Sequence, residues 1–376
     1  MKRTFYILLL LVSIILSSCS KHDYTNAIPS NSTAIIAINA ADFTSEKSPF
    51  ASLLVPFVDN DTKQLKGVDL TRDIFLFSSG DGNLGACAPI ADDDNLADFV
   101  SRLENIGVLK NAKEQDGKQF YTFKDQWVMG YDDGCLLIMG PVTGADAEAR
   151  LIRRMTKLMD RDDDESVKNS TIWQHLEEQK NNIRMVAQAS ALPEQLAVIV
   201  TLGAPKGTDP DDVLLEAALE YDNGVLALAG KTCSYNQNIA QSMKQSQSVY
   251  RPITTDWQQN MTDSIVAGVF MNVKGTDIMP YIQRNKSLNS MLMGSNAYEK
   301  IRNNDGNISI TMTPKKGGKD NESYDVSVTY PTPSQQKGNE KLVVAVNVNA
   351  LAGPMAQSIA PFLGKIKTIV YKLKVE

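Results

Sequence analysis

The chain has 376 residues, enough for two or three domains with cores of their own. Its 38 Lys and Arg stand against 44 Asp and Glu, giving a net charge of −6. Nucleic-acid binding needs a basic surface that neutralises phosphates, and an acidic chain without an Arg/Lys stripe excludes that class. Lys315, Lys316 and Lys319 stand with Gly317 and Gly318 and read as a solvated loop.

Lys2 and Arg3 precede an apolar run from Phe5 to Leu16. A helix of that length rises about 18 Å, short of the ~30 Å hydrocarbon core, so it fits the apolar region of a signal peptide rather than a span. The run ends in Leu16-Ser17-Ser18-Cys19. Those four residues resemble the lipobox of bacterial lipoproteins, which implies cleavage before Cys19 and lipid on its thiol. Several acyl chains anchor firmly where one would not. Ser20 stands where an Asp would mark inner-membrane retention, so the expected place is the outer membrane, facing the periplasm or the cell surface. Residues 19–28 read as a polar, lipidated tether.

Three cysteines follow: Cys87, Cys135 and Cys233, each in a strand-like apolar run. An odd number in an oxidising compartment allows at most one internal disulfide. Buried thiols are the plainer reading, with a Cys87–Cys135 bridge open if their strands are neighbours.

The body carries an internal repeat. Pro49–Val58 matches Pro354–Leu363, each with a Pro-Phe pair near its end. Each segment follows a strand-like run (Ala34–Asn39; Val343–Asn347) and precedes another (Ile74–Phe77; Ile369–Tyr371). The expectation is strand, helix, strand, twice, with Phe57 and Phe362 in equivalent places. Ile265–Asn272 followed by Asp277–Ile282 is a degenerate third copy, and Ile183–Ser190 a fourth strand of the same flavour.

Helical stripes run over residues 95–106, capped by Asp93 or Asp94 and ended by Gly107, and over residues 145–159. Ile172, Trp173 and Leu176 predict a short amphipathic helix. Asp133-Gly134 and Asn223-Gly224 read as hairpin turns, and Asn304-Asp305-Gly306 as the start of another. Tyr324–Tyr330 alternates as half-buried β. The expected fold is α+β: antiparallel or mixed sheets with helices packed on one face, built from repeated strand–helix–strand units. The expected divisions are a signal peptide (1–18), the tether (19–28), an N-terminal α+β domain (29–165), a middle segment (166–255) and a C-terminal segment repeating the N-terminal motif (256–376).

The lipobox, Ile28-Pro29 with Ser32 before the first strand, and the Asp222-Asn223-Gly224 hairpin together resemble a family of Bacteroidota envelope lipoproteins catalogued as a domain of unknown function. The resemblance covers most of the body. It implies an envelope location and supplies no catalytic residues.

Chemistry is sparse. The two histidines are His22, in the tether, and His175. No zinc-protease motif, G-x-S-x-G elbow, P-loop or dinucleotide glycine pattern occurs. His175 reads as a surface histidine, apart from any Ser or Cys nucleophile. Asp160, Asp162 and Asp164 mimic calcium-loop spacing, but Glu165 and Thr171 occupy the positions of the required Gly and Glu. Asp92–Asp94 and Asp209–Asp212 are explained as helix N-termini. Met279, Met291 and Met293 read as core filler, and Asp263-Ser264-Ile265 matches a short O-glycosylation motif. The expectation is no catalytic, cofactor or metal residue, lipidation at Cys19, and a non-enzymatic binding or scaffolding role. Its partners are the membrane, through lipid, and an envelope protein or glycan. The alternative is an envelope hydrolase.

Overall fold

The computed structural model describes residues 23–39, 67–124, 126–143, 146–222, 224–262, 264–293, 296–314, 324–333, 340–348 and 366–374. Its strands are β1 Ser32–Ile38, β2 Ile74–Ser79, β3 Leu84–Pro89, β4 Leu109–Gln115, β5 Lys118–Phe123, β6 Trp127–Tyr131, β7 Cys135–Gly140, β8 Ile183–Gln188, β9 Leu214–Asp222, β10 Val225–Cys233, β11 Tyr250–Arg251, β12 Ala267–Lys274, β13 Asp305–Pro314, β14 Tyr324–Thr329, β15 Glu340–Asn347 and β16 Thr368–Lys374. The helices are α1 Asp93–Asn105, α2 Ala147–Met159, α3 Thr171–Glu178, α4 Glu194–Val200, α5 Gln237–Gln247, α6 Gly275–Arg284, α7 Lys286–Leu292 and α8 Ala297–Arg302. The class is mixed α and β with mostly antiparallel strand pairing.

The described residues fall into two compact units. The first takes residues up to 31, 67–74 and 83–170; the second takes 32–39, 75–82 and those from 171 onward. In the first unit the strand order is β3-β7-β6-β5-β4, all antiparallel. Asp92, not Asp93 or Asp94, caps α1 by accepting from the Asn95 amide. Leu96, Phe99, Val100 and Leu103 are buried, while Ile106 falls beyond the helix and is exposed. On α2 the buried stripe is Leu151, Ile152, Met155, Leu158 and Met159. Gly130 lies opposite Phe120 in the β5–β6 register, and a Cβ there would lie 2.5 Å from the Phe120 ring. The ring therefore fills space that only glycine leaves open.

Residues 24–27 form a buried 3-10 helix in this unit, and Ile28 is fully buried. The expected tether thus stops before Tyr24 rather than at residue 28. Apolar Tyr24, Ala27 and Ile28 account for the difference, because water exposure of that surface is unfavourable.

In the second unit the order is β14-β13-β12-β15-β16-β10-β9-β8-β1-β2, with β11 beside β12. The β10–β16 pair is parallel. Either side of it stand two runs of five strands with the same order. Taken in the same direction along the sheet, β14, β13, β12, β15 and β16 correspond to β10, β9, β8, β1 and β2. The registers agree: Ile38 pairs with Ile183 as Val346 pairs with Ala267, and Ala34 with Ala187 as Leu342 with Met271. Shifting Trp173 onto Trp257 brings Ile183 onto Ala267 without a gap, and Thr171 and Gln174 onto the identical Thr255 and Gln258.

Both tryptophans are buried. Trp257 packs with Phe270, Val343, Ala345 and Val370, its ring centroid 5.9 Å from that of Phe270. Trp173, on α3, packs against Phe75 of β2 at 5.0 Å. Ile172 and Leu176 complete the buried face of α3. The strands expected to flank the two Pro-Phe helices are β1, β2, β15 and β16, whereas residues 49–58 and 354–363, with Phe57 and Phe362, lie outside the described residues. The Asp133-Gly134 turn joins β6 to β7 and Gly224 helps join β9 to β10, as expected. Asn304 instead joins α8 to β13, and Asp305 and Gly306 already open that strand, because the preceding Ala297–Arg302 is helical and buries Ala297 and Ile301.

Candidate functional site

The one His, the buried Glu and the half-buried Cys that share a face of the second unit form its most chemically loaded group. β9 runs Leu214-Leu215-Glu216-Ala217-Ala218-Leu219, so a carboxylate interrupts a buried apolar strand. Glu216 pairs with Val186 of β8 on one side and Lys231 of β10 on the other. Cys233 lies two residues beyond Lys231 and so shares its face. α3 packs on β1 and β8 and sets His175 over this same face.

The Glu216 side chain is 8% exposed. Its Oε1 accepts a hydrogen bond from the Cys233 thiol at 2.8 Å. Nδ1 of His175 lies 2.9 Å from the same oxygen, and Lys231 Nζ lies 3.5 Å from Oε2. The His175 contact is close but not aligned as a hydrogen bond: Nδ1 is buried and makes none. Burial, and then the hydrogen bond and charge of Glu216, push the Cys233 thiol well above its ordinary value; Glu178 adds in the same direction. Sulfur, nitrogen and oxygen donors lie within 4.8 Å of one another, a combination suited to borderline divalent cations.

His175 therefore differs from its expected setting. It is half-buried and stands near a cysteine, because Glu216 and Cys233 come from strands that the sequence does not place beside α3. A strand-wise reading could have flagged Glu216 as a charge inside an apolar run; nothing local signals its partners.

The other two cysteines sit in the first unit, on neighbouring strands β3 and β7. Their sulfurs are 3.6 Å apart and unbridged, and the Cys87 thiol donates to the Tyr24 carbonyl at 3.1 Å. The Cys87 contact and burial hold the Cys135 thiol well above its ordinary range. Nearby, Asp23 pairs with Lys168 at 2.8 Å and Arg72 at 3.2 Å. Lys168 also reaches Asp163, which accepts from Asn26 Nδ2 at 3.0 Å. Burial raises the Asp23 carboxyl, but its bonds to Lys168 and Thr25 outweigh that and leave it below the usual value.

Of the remaining expected features, Asp160 pairs with Lys118. Asp209 caps a short 3-10 turn. Met279 is buried and Met293 exposed. Cys19, His22, Asp263 and residues 315–319 lie outside the described residues. Among the described residues, no helix is long and apolar enough to cross a membrane.

The search of curated proteins found no match. Two solved structures, "Structure of crystal form I of TP0453" and "Structure of crystal form III of TP0453", each share 8% identity and cover 55% of this chain, with 76% and 77% of their own chains and TM-scores of 0.36 and 0.34. Likenesses this slight do not establish a common fold. A family model described as "Domain of unknown function (DUF4836)" matches residues 38–314, most of the chain, and the protein belongs to that family.

Proposed function

We propose that the protein is a lipid-anchored component of the bacterial cell envelope that acts by binding or scaffolding. The observation that carries this reading is Leu16-Ser17-Ser18-Cys19 at the end of a short apolar run behind Lys2 and Arg3. Lipid on Cys19 holds the chain at the outer membrane, on the periplasmic or the external side. Its partner is another envelope protein or a glycan.

Two features support a scaffold over a catalyst. The first is the repeated architecture. The matching strand order, register and Thr-x-Trp-Gln segments support descent of the two five-stranded runs from one strand–helix–strand unit, with α3 and the Trp257 segment covering the same sheet face. The second is the state of the half-buried thiol. A nucleophilic cysteine needs a lowered pKa, and Cys233 is pushed the other way by burial and by Glu216. In the metal-free protein this speaks against a cysteine nucleophile at the His–Cys group.

Cys19→Ala is expected to abolish incorporation of labelled palmitate and membrane retention, read by fractionation of cells. Tight membrane association of this variant after full removal of the leader would refute the lipid anchor.

A further inference from the structure

We propose that His175, Glu216 and Cys233 form a binding site for a zinc-class divalent cation, with Nδ1, Oε1 and Sγ as its ligands. Two local features point to this, the first being the donor set. Sulfur, imidazole nitrogen and carboxylate oxygen converge within 4.8 Å of one another on three separate elements. Zinc accepts this mixture, whereas magnesium and calcium prefer oxygen alone. The second is the orphaned nitrogen. Nδ1 of His175 is buried, lies 2.9 Å from Oε1 without hydrogen-bond alignment, and makes no hydrogen bond. A buried polar atom left unpaired is costly, and a lone pair directed at a cation removes that cost.

The fold itself sets Glu216 apart. In the matching run, β13 carries Ser309 where β9 carries Glu216: Ser309 pairs with Phe270 as Glu216 pairs with Val186. Gln259 stands in line with His175 and Thr329 with Lys231. The strand arrangement is thus built without a buried carboxylate, so Glu216 is not a requirement of the sheet. Burying a carboxylate is unfavourable unless it is compensated.

Charge closes the case. Metal binding displaces the thiol proton to solvent, since the thiolate is the ligand. The thiolate and carboxylate then carry two negative charges against the cation's two positive ones, which suits a site with a buried floor. Lys231 stays on Oε2 and leaves Oε1 to the metal, the outer-shell role that fixes a ligand's orientation. Three protein ligands leave a fourth position for water, reached from the half-exposed side of His175 and Cys233.

The test is titration of the purified full chain, stripped with chelator under reducing conditions, with Co²⁺. A single equivalent should produce intense tetrahedral d–d bands and a thiolate-to-cobalt charge-transfer band, both removed by Zn²⁺. Cys233→Ala should lose the charge-transfer band, while Cys87→Ala and Cys135→Ala keep it. Glu216→Gln and His175→Ala should weaken Co²⁺ binding by at least about tenfold, with folding checked by circular dichroism. The proposal fails if the folded wild type shows no such band at one equivalent. It also fails if the band survives in Cys233→Ala or disappears in Cys87→Ala or Cys135→Ala.

Discussion

The two five-stranded runs of the second unit share strand order and register but not what they bury. Around Trp257 the sheet face is largely apolar: Phe270, Val343, Ala345 and Val370 pack together, Lys372 lies over the indole ring, and Ser309 stands in the position that matches Glu216. Around α3 the same position holds Glu216, flanked by His175, Cys233 and Lys231. One scaffold thus serves once as a packed core and once as a frame for charged and ligating groups. Stability calls for the first arrangement, so the second is where function is to be sought.

The largest test of this comparison is the tryptophans. Trp173→Ala and Trp257→Ala should each destabilise by about 3–5 kcal/mol in denaturant unfolding, since both rings are buried. Strongly unequal losses would break the equivalence. Next is metal-linked stability. Zn²⁺ at a hundred times its dissociation constant should add about 2.7 kcal/mol to the wild type, and none to Cys233→Ala. Placing Ser309→Ala beside it sharpens the contrast. Its Oγ is buried without a hydrogen-bond partner, so the substitution should be neutral or stabilise by about 1 kcal/mol. The smallest effect is His175→Ala in metal-free protein, expected to be neutral or to stabilise by about 0.5 kcal/mol, because the half-buried ring loses packing while a buried nitrogen without a hydrogen bond is removed.

The first unit offers a pH test. The Asp23 carboxyl is lowered from its ordinary 3.8 despite burial, through Lys168 and Thr25. Its contribution is therefore present above that value and lost as pH falls through the lower, folded one. The protection of the amides of residues 24–27 against hydrogen exchange, taken relative to the intrinsic rate at each pH, should stay high at pH 5 and fall at pH values below about 3.8. Unchanged exchange across that range would show that the Asp23 pairs do not hold this helix.

Local patterning made much of the fold readable. The stripes of α1, α2 and α3 and the alternation of β14 arise from interactions within a few residues, so period and caps reveal them. Flanking β-branched runs likewise marked β1, β8, β12 and β15. The units were not readable, because each gathers distant stretches of chain and no linker composition announces the exchange. The metal-ligating group was hidden for a related reason. Glu216 meets Cys233 through the β9–β10 register, and His175 arrives on a helix placed by Trp173 and Leu176. Sequence spacing carries no trace of that meeting. Two signals were nevertheless present: the charge inside β9, and the Thr-x-Trp-Gln segment repeated at the same distance from its strand.

The buried helix of Tyr24–Ala27 has a further consequence for a chain held by Cys19. Four peptide steps separate Cys19 from Asp23, and fully extended they reach only about 14 Å. On the proposed lipid anchor, the first unit would stay within that distance of the bilayer. Partners would then be met by lateral drift within a plane, those embedded in the same leaflet or lying on it most often.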